Sequence, residues 1–236
     1  MARFAPKLFF SKLVSKKILN DKFISFLFEP DEKFDFEAGQ YVSVKVTEDG
    51  VRRPYSVASK PSDDLIELLI DITPGGPGTK FLINLVEGDP VEMMGPVGRF
   101  ILDDSLNKES KLFFVGTGSG IAPLKSMILE LLEDRKISNK VKLIWGLRFR
   151  KDIFWKEEFD KLKKEFDNFD YEITLSAADE EWGEKRGRVT EWIEKIQLTG
   201  KEKFYLCGNG QMVIEVNKIL LDKDIPKENI YFEKFN

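Results

Sequence analysis

A chain of 236 residues with 42% hydrophobic content can bury one large core or two modest ones, and its net charge of −4 argues against nucleic acid as the main partner. A single cysteine, Cys207, and the absence of histidine exclude an intrachain disulfide, a four-cysteine iron–sulfur cluster, a Ser-His-Asp triad and any histidine ligand to zinc or haem. Chemistry near neutral pH then falls to an organic cofactor.

Along the chain, residues 1–22 carry Arg3, Lys7, Lys12, Lys16, Lys17 and Lys22 against one acid, Asp21. This reads as a solvated strand edge protected by lysines, with a landing patch for an acidic protein as the alternative. Up to about residue 100 the pattern is β-like: "KFISFLF" (22–28), "YVSVKV" (41–46) with its valines on one face, "VRRPYSVAS" (51–59) and "LIELLIDI" (65–72) predict a small antiparallel barrel. A polar stretch, 103–110, reads as a linker. Beyond it, strand-like runs at 111–115, 141–145, 171–175, 203–207 and 229–235 alternate with helical stretches near 122–134, 155–166, 190–196 and 211–222. That alternation predicts a parallel five-stranded, doubly wound sheet with right-handed crossovers. Two domains are expected, 1–105 and 106–236. No apolar run has membrane-span length and the N-terminus lacks a secretory core, so a cytoplasmic protein with no membrane span is expected.

Three glycine loops are candidates for holding phosphate. "PGGPGTKFL" (74–82) leads through Thr79, read as an N-cap, into a short helix; an anion site and a plain turn are equal readings. "FFVGTGSGIAPL" (113–124) runs strand, glycines, helix, although it is G-x-G-x-G and lacks the acid expected after the second strand, where Arg148 and Arg150 stand instead. "YLCGNGQM" (205–212) repeats the arrangement. With a strand order of 3-2-1-4-5, the Gly116 loop and Cys207 would share one crevice at the reversal of winding.

In "RRPYS" (52–56), Arg53 and Tyr55 fall on one strand face, pairing a guanidinium with an aromatic plate, as suits a ligand with a planar ring and a phosphate tail. Ser56 would point the other way unless Pro54 creates a bulge. The competing reading puts Tyr55 in the core and Arg53 in solvent.

Taken in order, "RPYS", "GGPGTKFL", "GDPVEMMGPVGRF" (88–100), "GTGSGIAP", "LCGNGQM" and "EKF" (233–235) resemble the ferredoxin–NADP⁺ reductase-like family across nearly the full length. The resemblance implies a β + α/β chain, an N-terminal antiparallel flavin-binding barrel followed by a nicotinamide nucleotide domain. It assigns Arg53 to the flavin phosphate, Tyr55 to stacking on the flavin and Ser56 to a hydrogen bond near its N5, with Pro54 among the cofactor-binding residues. Gly76, Gly78 and Thr79 would hold the diphosphate. Gly116, Thr117, Gly118 and Gly120 would receive the nicotinamide nucleotide, and Cys207 and Gly208 would line the hydride path. Glu233 and Phe235, which Asn236 follows, would stand near the flavin. Ser56, Cys207 and Glu233 form the implied catalytic set, with no metal.

The implied cofactor is FAD rather than FMN. Arg148 and Arg150 could clamp a 2′-phosphate and Lys185 and Arg186 could return to it, whereas Ala177 and the acids Asp179, Glu180 and Glu181 favour NADH over NADPH. The implied activity passes electrons between NAD(P)H and a separate acidic carrier, ferredoxin or flavodoxin, docking near Lys12, Lys16 and Lys17. A free-flavin reductase and an electron-transfer subunit of a larger complex are the alternatives.

Overall fold

Alternation of buried and exposed residues builds the first sheet, as the computed structural model shows for residues 3–106 and 109–235. Positions 107 and 108 of the expected linker and the terminal Asn236 lie outside the described residues. Strands β1 (Lys7–Ile18), β2 (Phe23–Pro30), β3 (Tyr41–Lys45), β4 (Arg52–Ser56), β5 (Ile66–Asp71) and β6 (Pro90–Val97) pair antiparallel in the order β4-β3-β6-β1-β2-β5. A bridge from Val57 to Leu68, with the Ala58 N–H donating to the Glu67 carbonyl at 2.8 Å, draws the outer strands together into a nearly closed barrel. Phe9, Leu13, Phe26, Phe28, Val42 and Leu68 fill it.

Two expectations are corrected here. The lysine-rich segment is not a sheet edge: the first half of β1 pairs with β6 and the second half with β2, so its lysines ride the outward positions of an interior strand. Twelve residues are long enough to serve two partners in succession. Nor does Pro54 create a bulge, because the β3–β4 register runs unbroken from Tyr41–Ser56 to Lys45–Arg52. Its strand is an outer one, where a missing N–H leaves no inner ladder bond unmade.

The second sheet is parallel: β7 (Leu112–Thr117), β8 (Val141–Leu147), β9 (Phe169–Leu175), β10 (Lys185–Arg186), β11 (Lys203–Asn209) and β12 (Ile230–Phe235), in the order β10-β9-β8-β7-β11-β12. This is the expected 3-2-1-4-5 order with the two-residue β10 added outside β9, six strands rather than five. Helix α1 (Pro77–Asn84) lies between β5 and β6 in the chain. Helices α2 (Ile121–Leu129, continuing as a π turn over Glu130–Asp134), α3 (Lys156–Glu165), α4 (Val189–Lys195) and α5 (Gly210–Asp222) connect the parallel strands.

Packing divides the chain into two compact units, Met1–Leu102 with Lys125–Asp134, and Asp103–Leu124 with Arg135–Asn236. In the first unit Lys125 and Glu67 form a mostly buried ion pair at 2.8 Å. In the second, Val115, Ile144, Phe204, Leu206, Val213 and Val216 pack between sheet and helices. Asp103, at the start of the linker, accepts from Lys203 Nζ at 2.5 Å and Tyr231 Oη at 2.8 Å, which ties the polar linker to β11 and β12.

Candidate functional site

In the first unit the site begins where β4 meets α1. The helix starts at Pro77 with Gly76 as its N-cap, not at Thr79, which lies one turn inside and is 7% exposed. Proline at the first helical position has φ already set and no N–H to waste, so it outcompetes threonine in fixing the start. No side chain caps this end and no acid sits in the first turn, which leaves the helix start electropositive.

Gly78 is pressed against the two β4 residues singled out in the sequence. A Cβ added there would lie 2.2 Å from Tyr55 Oη and 3.1 Å from Arg53 Cγ. Arg53 and Tyr55 therefore do share a face, and it faces the first turn of α1. Both readings of the strand hold in part: Arg53 is exposed, with Nη1 donating to its neighbour's carbonyl at 2.9 Å, while Tyr55 packs half-buried on the barrel core. Burial raises the Tyr55 phenol against the opposing pull of Arg53, so its hydroxyl stays protonated at physiological pH. Ser56 ends the strand in a buried position, next to Val57, whose N–H donates to the Gln40 carbonyl.

In the second unit the glycine loops after β7 and β11 are interlocked. Gly116 and Cys207 are register partners on adjacent strands, as the expected strand order requires. Gly120 approaches so closely that a Cβ would lie 2.4 Å from the Cys207 carbonyl oxygen and 2.6 Å from Gly208 Cα. Gly208, at φ +132°, leaves no room for a side chain beside Thr117 Oγ1, which accepts the Asn209 N–H at 3.1 Å. Gly118 takes φ +54°, and its carbonyl accepts the Trp145 indole N–H at 3.1 Å. Strand ends, bare backbone and a reversal of strand order thus coincide at β7 and β11, where open α/β sheets bind ligands.

Cys207 is fully buried, and burial, with the Glu233 charge adding to it, pushes its thiol well up. It is a neutral thiol and no nucleophile at physiological pH. Glu233 pairs in register with Cys207 on β12; its Oε2 is buried without a partner, and burial pushes the carboxyl up to about 7. Phe235 is half-buried opposite Asn209. A carboxyl poised at that value can hold or yield a proton near neutrality. It also costs stability. Between about 4.5 and about 7 the folded chain binds the proton that the unfolded chain releases, so this group's contribution falls as pH rises through that window. Glu233→Gln is expected to flatten that fall, matching the parent near pH 4 and melting higher at pH 8; parallel melting curves across the range would contradict it.

Arg148 follows β8, exposed, with its guanidinium 5.1 Å over the Phe149 ring. Arg150 is 3.4 Å from Glu181, and Arg186 donates to the carbonyls of Glu180 and Trp182 at 3.1 and 2.9 Å. Two residues that shape the second site were not singled out in the sequence. Asn209 caps α5 through Gln211 and Met212, a role its place before "GQM" does signal, and Trp145 holds Gly118, for which a strand tryptophan gives no signal. Among the described residues no cluster of acidic or cysteine side chains could hold a metal ion, and no helix is long and apolar enough to cross a membrane.

Known proteins share this fold. The family model "Oxidoreductase FAD-binding domain" matches residues 11–101, and "Oxidoreductase NAD-binding domain" matches 114–218. The chain is 30% identical to ferredoxin–NADP reductase B of Sorangium cellulosum, over 90% of this chain and 91% of that protein. It is 34% identical to the reductase component of phenol 2-monooxygenase from Pseudomonas sp. strain CF600, over 87% of this chain but 59% of that protein. Among solved structures, a ferredoxin NADP⁺ reductase from Neisseria gonorrhoeae with bound FAD and NADP superposes with a TM-score of 0.84 at 25% identity, covering 97% of this chain and 98% of that one. An Amycolatopsis cytochrome P450 reductase gives 0.90 at 28% identity, covering 98% and 70%. The chain belongs to the ferredoxin–NADP⁺ reductase-like family, with an FAD-binding domain followed by an NAD-binding domain. It spans 59% of the phenol 2-monooxygenase component and about half of the Na⁺-translocating NADH-quinone reductase chains that it also matches.

Proposed function

We propose that the protein passes electrons between NAD(P)H and a separate one-electron carrier through FAD held by its first unit. The observation that carries this reading is Gly78 pressed on Tyr55 and Arg53 at an uncapped helix start. An aromatic plate, a guanidinium and free helix amides fit a flavin with a diphosphate, and a Cβ at Gly78 would fill the cradle. Bound flavin supplies the exchange between two-electron and one-electron chemistry. Arg53, with Gly76, Gly78 and Thr79, holds its phosphates; Pro54 lies against the cofactor between Arg53 and Tyr55, Tyr55 orients its ring, and Ser56 offers a hydrogen bond. Gly116, Thr117, Gly118 and Gly120 accept the nicotinamide nucleotide without steric penalty, with Arg148 at its outer rim. Cys207 and Gly208 exclude water beside it, Glu233 holds a proton near neutrality, and Phe235 adds an aromatic edge.

NADH is the favoured donor. The acids at 179–181 repel a 2′-phosphate, Arg150 faces one of them and Arg186 is engaged by the loop backbone. The carrier is an acidic protein meeting the outward lysines Lys12 and Lys17, since Lys16 is engaged elsewhere. In dye-reduction assays NADH should give the higher kcat/KM. A Lys12→Glu, Lys17→Glu variant should raise the apparent KM for ferredoxin or flavodoxin and leave dye reduction unchanged; an unaltered carrier KM would remove that surface from the proposal. A second reading, an electron-transfer component of a larger complex, is supported by relatives named as the reductase component of a monooxygenase and as one subunit among those of a Na⁺-translocating NADH-quinone reductase. It would be favoured by a stable complex whose activity the isolated chain lacks.

A further inference from the structure

We infer that Lys16 is a positioning residue for FAD, acting through α1 from the end of the helix remote from the diphosphate. Its ammonium donates to two carbonyls at the C-terminus of α1, Ile83 at 2.7 Å and Leu85 at 2.8 Å. The helix is eight residues long and carries no basic residue in its last turn, so β1 supplies the cation that the helix lacks. Helices this short do not persist on local hydrogen bonds alone, and their placement depends on what holds them.

Several contacts hold α1 on the barrel. Leu82 and the C-cap Leu85 are buried in the barrel core with Phe81 packed against it, Gly78 rests on Tyr55 and Arg53 at one end, and Lys16 binds the last carbonyls at the other. The positive charge also complements the negative end of the helix dipole, while the uncapped N-terminus is left to meet an anion. Loss of Lys16 would leave the last carbonyls of α1 without their cation while Leu82 and Leu85 stay in the core, so the helix could shift along its axis and its first turn relax against Arg53. The diphosphate is the part of the ligand that would feel this. The flavin ring, held by β4, would not.

The inference rests on the flavin reading above, and its test separates the two. Full-length protein stripped of flavin is titrated with FAD and, in parallel, with riboflavin, which lacks phosphate. Lys16→Met is expected to weaken FAD about threefold to tenfold, with riboflavin affinity unchanged. Lys16→Arg, which keeps the charge and the donors, should restore FAD affinity. Equal FAD affinity in Lys16→Met and the parent would overturn the inference. So would equal loss of FAD and riboflavin, which would mark a general loosening of the barrel. Failure of the parent itself to bind FAD would instead overturn the flavin reading.

Discussion

Gly120→Ala is expected to abolish nicotinamide nucleotide binding while leaving flavin bound. The added methyl would lie 2.4 Å from the Cys207 carbonyl oxygen, 2.5 Å from its carbon and 2.6 Å from Gly208 Cα, all main-chain atoms with no rotamer to yield. The β7 and β11 loops must therefore separate. Overpacking of this kind costs about 1–3 kcal/mol, which should lower the melting temperature of the second unit by several degrees. Displacing a binding loop by about an ångström costs roughly 100-fold in rate, so reduction by NADH should fall at least that far. Flavin is the internal control, because Arg53, Tyr55 and Gly78 belong to the other compact unit. Calorimetric titration with NAD⁺ and a flavin absorbance spectrum read the two effects separately. Wild-type nucleotide affinity in Gly120→Ala would show that the ligand does not use this loop.

Arg53→Ala should do the reverse, losing FAD while NAD⁺ binding survives. Arg53 is exposed and its guanidinium donates to the Arg52 carbonyl on its own strand, so truncation should leave the fold intact. What is lost is a charge-assisted contact to phosphate, about 10- to 100-fold in FAD affinity. Arg53→Lys should recover part of it, since an ammonium keeps the charge and forfeits the fork of donors. Riboflavin affinity should barely change. Equal FAD affinity in Arg53→Ala and the parent would move the diphosphate elsewhere.

Much of this architecture is legible in the sequence because its signals are local. The period of two in "YVSVKV", the alternation of strand and helix after residue 110, and glycines at strand ends each write themselves into a few neighbouring residues. Right-handed crossovers are compatible with the 3-2-1-4-5 order supposed from the sequence, but the order itself comes from the pairing of β7 with β11. What sequence reading missed is long-range. Whether β1 is an edge depends on β6, which lies some eighty positions away, and Lys16 meets α1 through a fold contact that no spacing encodes. Thr79 read as a cap because threonine favours that role; Pro77, two residues earlier, sets the start. Pro54 suggested a bulge, and its placement on an outer strand made one unnecessary. The pairing of Arg53 with Tyr55 was visible, but that Gly78 closes on both was not.

The most direct measurement is the visible spectrum of the purified protein, reconstituted with FAD and titrated anaerobically with NADH and NADPH in parallel. A bound-flavin spectrum that bleaches at lower NADH than NADPH concentration is the predicted result. A protein that takes up neither FAD nor FMN, or a bound flavin that neither nucleotide bleaches, would contradict it.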